Sequence, residues 1–199
     1  MDIVETIKGF LTSPVQAFQK VRDTDIVESL KYFIVILVIN VILTVILDMV
    51  VANAMASAVE QTMAQMGILT PAVVGIGAIL VAIMMIILSF FGLLIAGAWV
   101  HLFVYIVGGR KGYLQTVKAL IFGSTPYMMI GWIPFIGPVI GGIWSLILEI
   151  LGIRELHQIS TGRAVAAMVL AVLIVLIIVI LIAAWFFIAL VSMGPVYSP

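Results

Sequence analysis

The sequence predicts an all-α polytopic membrane protein with five transmembrane helices, preceded by amphipathic interfacial helices. Of its 199 residues, 65% are hydrophobic and 9% are charged, whereas a soluble domain has about 45–50% apolar and about 25% charged residues. Five spans of about 20 residues use about 100 positions. The remaining residues suffice for loops and helix ends, which leaves no room for a separate soluble catalytic domain.

Residues 1–31 form a predicted cytoplasmic amphipathic segment. Apolar residues recur there at helical spacing, and Ser13-Pro14 marks the start of a second helix, because Ser caps well and Pro suits the first helical position. We expect two short helices that lie in the lipid interface, with Phe10 and Phe18 inserted as anchors. A partner-binding arm is the alternative.

Residues 32–192 form the predicted five-helix membrane domain, followed by an external tail at 193–199. The expected spans are 32–66, 72–107, 113–130, 139–153 and 164–192. The second would be about 54 Å long as one helix, against a hydrocarbon core of about 30 Å. Its centre lacks Pro, Asn and Asp, so one helix is favoured over two.

The surplus length of this second helix has two possible accounts. The outer halves of helices one and two continue together outside the bilayer, where lipid, another copy or a different subunit covers them. Alternatively, the second helix tilts strongly and the segment 52–66 lies flat on the outer surface. Further on, Pro126 predicts a kink in the third span, and the turn at 131–138 carries Trp132 as an interface anchor.

Two pairs of small residues predict close contacts between helices. Pairs of small residues separated by three positions permit close helix contact, and the sequence holds Gly92 with Ala96 and Gly137 with Gly141.

The distribution of basic residues predicts the orientation in the membrane. The nine basic residues fall in 1–31, in 110–118, and at 154 and 163. By the positive-inside rule these segments face the cytoplasm, together with the N-terminus, and the C-terminus lies outside.

The motifs of several membrane enzymes are missing from the sequence. It holds no His-Glu-x-x-His, Gly-x-Ser-x-Gly, P-loop or Asp-rich diphosphate motif, and no Cys. We therefore expect no enzyme activity, no cofactor and no metal site. The zero net charge gives no indication of nucleic acid as a partner.

Ionisable residues inside spans are functional candidates, because burying them in lipid is costly. The structural interpretation places His101 in a cytoplasmic aromatic belt, and it has Glu149 either snorkel to the membrane surface near Arg154 or pair with Arg154. The sharper hypothesis is that His101, Ser124, Thr125 and Glu149 converge between helices and form a polar solute or proton site.

Several helix-boundary signals together resemble those of microbial members of the Yip (Ypt-interacting protein) family, over nearly the whole chain. They are Ser13-Pro14 with Ala17-Phe18, Gly108-Gly109 leading to Tyr113 and Gln115-Thr116, Ser124-Thr125-Pro126, Ile133-Pro134, and the stretch from Ile153 to Ala164. The resemblance implies a five-span domain in a prokaryotic plasma membrane, with a cytoplasmic N-terminus. Eukaryotic relatives are associated with Rab-type GTPases, but their Asp-Leu-Tyr-Gly-Pro type motif is not in this sequence, so GTPase binding is not expected.

The function predicted from the sequence is a non-enzymatic integral membrane scaffold or a subunit of a membrane complex. Its expected partners are the lipid bilayer and either further copies, in a homo-oligomer, or another membrane protein. A small-solute or ion and proton permeation protein is the alternative.

Overall fold

The computed structural model describes residues 1–55, 65 and 71–192. Their helices are α1 (Ile3–Thr12), α2 (Pro14–Val21), α3 (Ile26–Met55), α4 (Pro71–Ile106), α5 (Tyr113–Gly123), α6 (Thr125–Ile130), α7 (Ile136–His157) and α8 (Thr161–Ser192). The predicted continuation of the first span to residue 66, its hairpin with the second span and the tail at 193–199 lie outside the described residues.

Four of the described helices, α3, α4, α7 and α8, are long and apolar enough to cross a membrane. Of these, α4 is one uninterrupted helix of 36 residues. The expected third span, 113–130, is instead divided, because α5 ends at Gly123 and α6 begins at Thr125. Pro126 has no N–H and its ring clashes with the preceding turn, so the helix stops here rather than only bending. Helix length therefore does not confirm five spans.

The two short helices α5 and α6 run antiparallel to α7 along its length. Near the start of α5, Thr116 meets His157 at the end of α7. Ile130, the last residue of α6, meets Gly137 at the start of α7. The 22 residues of α7 extend about 33 Å at 1.5 Å per residue. The divided pair thus covers nearly the same distance as one complete spanning helix.

Large buried side chains concentrate at one end of the bundle, which we call the basic end. There Arg22 and Lys118 join the connection between α2 and α3 to α5 and to the end of α7, and His101 joins the last turns of α4 to α5. The buried side chains in this part of the bundle include Phe122, Ile121 and Leu156. Towards the other end, no side chain described in 42–50 of α3, 75–96 of α4 or 172–189 of α8 is buried. We call these three stretches the far halves.

The helices α1 and α2 dock on the protein through their apolar faces. Phe10 and Phe18 are both 0% exposed. Phe10 stacks on Phe122 with ring centroids 5.0 Å apart and meets the edge of Phe18 at 4.8 Å. The prediction that these two rings insert into lipid is therefore wrong. An amphipathic stripe shows that one face is covered but not whether lipid or protein covers it.

The small-residue pairs behave differently from one another. Gly137 and Gly141 are buried against the backbone of Ile130 and Tyr127. Gly92 and Ala96 are exposed, and a Cβ added to Gly92 would meet no atom within 4 Å. The prediction of close packing at that pair is wrong within this chain, because the contact with α5 falls at Gly97, about 100° further around the helix.

Candidate functional site

The four residues of the predicted polar site do not converge. His101 bonds to Thr116 and lies beside His157, whereas Glu149 lies eight residues before His157, or about 12 Å along α7. The antiparallel register of α5 and α7 brings His157, rather than Glu149, level with His101. The convergence of His101 with the other three residues is therefore wrong.

Ser124 and Thr125 bond to the backbone where α5 ends. Ser124 Oγ donates to the carbonyl of Ile121 at 2.9 Å, and Thr125 Oγ1 donates to the carbonyl of Phe122 at 2.7 Å. These carbonyls belong to the last turn of a helix, which leaves such groups without intrahelical partners. The hydroxyl of Tyr32 lies 2.9 Å from Thr125 Oγ1 and donates to it, so this break is also tied to α3.

Glu149 lies where the backbones of α5 and α7 touch. A Cβ added to Gly123 would lie 2.8 Å from both Cα and N of Glu149. The expected pair between Glu149 and Arg154 is wrong, because Arg154 Nε donates to Glu155 at 2.9 Å. Residues five apart do not share a helix face, whereas positions three or four apart do.

Two imidazoles and one hydroxyl form an unpredicted cluster, which we call the imidazole bridge. Thr116 Oγ1 lies 2.8 Å from His101 Nδ1 and 2.9 Å from His157 Nε2, and the ring centroids are 5.8 Å apart. His157 is 3% exposed and Thr116 0%. One hydroxyl thus connects α4, α5 and α7.

The sequence contained a partial signal for this bridge. His101 and His157 are its only histidines, and the positive-inside topology places both near the same membrane face. The angular position of each helix, which brings both rings to Thr116, cannot be read from that topology.

A second polar cluster fixes the connection between α2 and α3. The buried ammonium of Lys118 donates to the carbonyl of Arg22 at 2.5 Å and to that of Thr24 at 3.1 Å. Arg22 in turn donates to the carbonyl of Glu155 at 3.3 Å. Carbonyls at a helix C-terminus carry partial negative charge and attract a cation. These bonds fasten the N-terminal helices to α5 and α7.

Trp132 forms a local hydrogen bond, and the described residues contain no cluster of metal ligands. The indole N–H of Trp132 donates to the carbonyl of Met129 at 2.8 Å, and its role as an interface anchor stays a prediction. Within residues 1–55 and 71–192, no three side chains of His, Asp or Glu lie close enough together to hold a metal ion.

An apolar groove runs between α3 and α4 towards the far halves. Its volume is about 350 Å³, and its lining includes Ile42, Ile46, Ala78, Ile79 and Ala82. All of its lining side chains are apolar. The groove has the chemistry of a surface that contacts lipid tails or another apolar helix.

This architecture defines an all-helical integral membrane protein. The family model of the Yip1 domain matches residues 8–192, so the chain belongs to the Yip1 family. The resemblance to the Yip family found in the sequence is thereby confirmed, and the assignment to its microbial members stays a prediction. No curated protein and no solved structure matches the chain significantly.

Proposed function

We propose that the protein is a non-enzymatic membrane scaffold or a subunit of a membrane complex. The observation that carries this proposal is the apolar surface of the far halves, which no part of the chain that the structure describes covers. In α4, for example, Ile79 is 61% exposed, Ile83 49% and Leu88 63%. Uncovered apolar surface at this scale is typical of sites that contact lipid or protein.

The length of this surface on α4 exceeds the thickness of the hydrocarbon core. The 36 residues of α4 extend about 54 Å, while the hydrocarbon core is about 30 Å thick. Such a mismatch is relieved by tilt, by a change in bilayer thickness or by association. We assign association to the far half of α4, with a second copy or a different membrane protein as the partner.

The path of the chain supports five crossings and a cytoplasmic N-terminus. Because α5 and α6 together match α7 in length and direction, they supply the additional crossing between α4 and α7. The segments that carry Lys118, Arg22 and Arg154 meet at the basic end. By the positive-inside rule this end faces the cytoplasm, in the plasma membrane of a prokaryote.

The topology is tested by labelling single cysteines, since the chain has none of its own. We expect Lys111→Cys and Ser160→Cys to react with an impermeant maleimide only from the cytoplasmic side, and Tyr197→Cys only from outside. Each variant is compared in right-side-out and inverted vesicles, with detergent-opened vesicles as the control for reactivity. Labelling of Tyr197→Cys from the cytoplasm would exclude an odd number of crossings.

The permeation alternative now depends on Glu149, an acid in an apolar helix beside the break between α5 and α6. If the protein is a scaffold, vesicles that hold the purified chain conduct protons no faster than empty vesicles across about pH 5 to 8. The measurement is the fluorescence of an entrapped pH dye after a pH jump. A reproducible flux that Glu149→Gln abolishes and the exposed control Glu5→Gln preserves would overturn the scaffold proposal.

A further inference from the structure

The imidazole bridge permits only certain arrangements of its protons. The hydroxyl of Thr116 can donate one hydrogen bond and accept two. Its bonds in the structure are to the two imidazoles, so its hydrogen has an acceptor only when one of the two facing ring nitrogens carries no proton. His157 Nδ1 is buried and has no hydrogen-bond partner among the described residues. It faces Gly109, where an added Cβ would lie 3.1 Å away.

This unpartnered nitrogen selects one neutral arrangement. A buried N–H without an acceptor is costlier than a bare ring nitrogen without a donor, so His157 carries its proton on Nε2. It then donates to Thr116, Thr116 donates to His101 Nδ1, and His101 carries its proton on Nε2. In this arrangement the bonds inside the bridge are complete and no buried N–H is left unpaired.

Adding a proton breaks that arrangement at either histidine. A proton on His157 occupies Nδ1 and creates the buried, unpaired N–H. A proton on His101 occupies Nδ1, so both rings donate to Thr116 and its hydroxyl hydrogen loses its acceptor. If Thr116 donates to His157 Nε2 instead, the His157 proton moves to the unpartnered Nδ1. Two protons place two cationic rings 5.8 Å apart and leave the Thr116 hydroxyl hydrogen without an imidazole acceptor.

The charged and titratable groups around the bridge do not relieve this penalty. On α5, Tyr113 contacts the His101 ring and donates to the carbonyl of Leu94, and Lys118 bonds to the α2–α3 connection. On α7, Arg154 and Glu155 pair with each other. On α4 and its loop, Arg110 lies over the Tyr105 ring. Lys111 is exposed in the same loop, and Arg163 of α8 lies beside Gly108. Among the described residues, no carboxylate forms an ion pair with either histidine.

We propose that the imidazole bridge is an acid-sensitive latch, which holds α4 against α5 and α7 while both histidines are neutral and releases α4 when either is protonated. Imidazole ordinarily gains its proton near pH 6.5, at about the middle of the physiological range. The latch is therefore closed at neutral pH and opens on acidification. Opening of the latch moves α4, whose uncovered apolar surface carries the scaffold proposal. The latch extends that proposal but does not depend on it.

The test measures the distance between α4 and the loop after α7 in the full chain, reconstituted in lipid nanodiscs. Spin labels on Leu102→Cys and Ser160→Cys, both exposed, report that distance by double electron–electron resonance. We expect one narrow population at about pH 7.5 and an additional longer one at about pH 5. An unchanged distribution between these two pH values would overturn the proposal.

Two variants separate the latch from general acid sensitivity. His101→Asn with His157→Gln places an amide where each bonded ring nitrogen lies, so it retains bonds to Thr116 but cannot titrate, and we expect one narrow population at both pH values. As a matched control, Thr125→Val removes another buried hydroxyl, which bonds to Tyr32 rather than to histidine, and the pH response should persist. A pH response that survives in the Asn and Gln variant, or that disappears in Thr125→Val, would contradict the latch.

Discussion

Replacing Gly123 by Ala is expected to lower the free energy of unfolding by about 3 kcal/mol, the upper part of the usual range for overpacking a core. The added Cβ would lie 2.5 Å from Cγ and 2.8 Å from Cα and N of Glu149. Because two of these three atoms belong to the backbone of α7, the strain cannot be relieved by rotating a side chain. Titration of the protein from mild detergent micelles into dodecyl sulfate, followed by near-ultraviolet circular dichroism, measures the change.

Gly142→Ala is the matched control for this prediction. Gly142 lies inside α7, and a Cβ added there would meet no atom within 4 Å. Alanine favours a helix interior over glycine by about 0.5–1 kcal/mol, so this variant should be slightly more stable than the parent chain. Equal stability of the two variants would show that α5 and α7 are not in backbone contact at Gly123.

Replacing Phe18 by Ala is expected to cost about 4 kcal/mol, as large-to-small changes of buried aromatic residues do. The Phe18 ring is 0% exposed and lies so close to Gly152 that a Cβ there would be 2.7 Å from two ring carbons. Losing this ring leaves a cavity between α2 and α7. The unfolding titration measures the loss, and tryptic cleavage after Lys20 and Arg22 should become faster as the N-terminal helices detach.

The control for Phe18 is an aromatic residue on the far half of α8. Phe187 is 68% exposed and faces outward from the bundle, so Phe187→Ala should change stability by less than about 1 kcal/mol, as substitutions away from buried features usually do. If Phe18→Ala were as mild as Phe187→Ala, α1 and α2 would not be docked on the protein, and insertion of Phe18 into lipid would be the better account.

The positions where helices begin and end were largely predictable from the sequence, because local chemistry determines them. Pro14 opens α2 as its first residue, although Ser13 makes no side-chain cap, and the charge-free stretch after Pro71 forms one helix. The effect of Pro126 was underestimated. A proline shows that a hydrogen bond is lost, but neighbouring hydroxyls at Ser124 and Thr125 decide whether a complete break is stabilised.

The environment of each helix face was much less predictable. Phe10 and Phe18 satisfy the same amphipathic pattern whether protein or lipid covers them. Gly92 and Gly97 are both small, but only the rotation of α4 decides that Gly97 meets α5. The imidazole bridge depends on three such rotations together, and sequence spacing within one helix contains no information on the relative rotation of three helices.

Photo-crosslinking along α4 in native membranes tests the central claim, that its far half contacts a protein partner. A benzophenone amino acid replaces Ile83, which is 49% exposed in the far half, or Leu102, which is 51% exposed near the basic end. These two positions of one helix have nearly the same exposure; they differ in depth and by about 100° in direction around the helix. We expect a discrete protein adduct heavier than the 21.5 kDa chain from Ile83 and lipid adducts from Leu102. Lipid adducts alone at both positions would contradict the scaffold account.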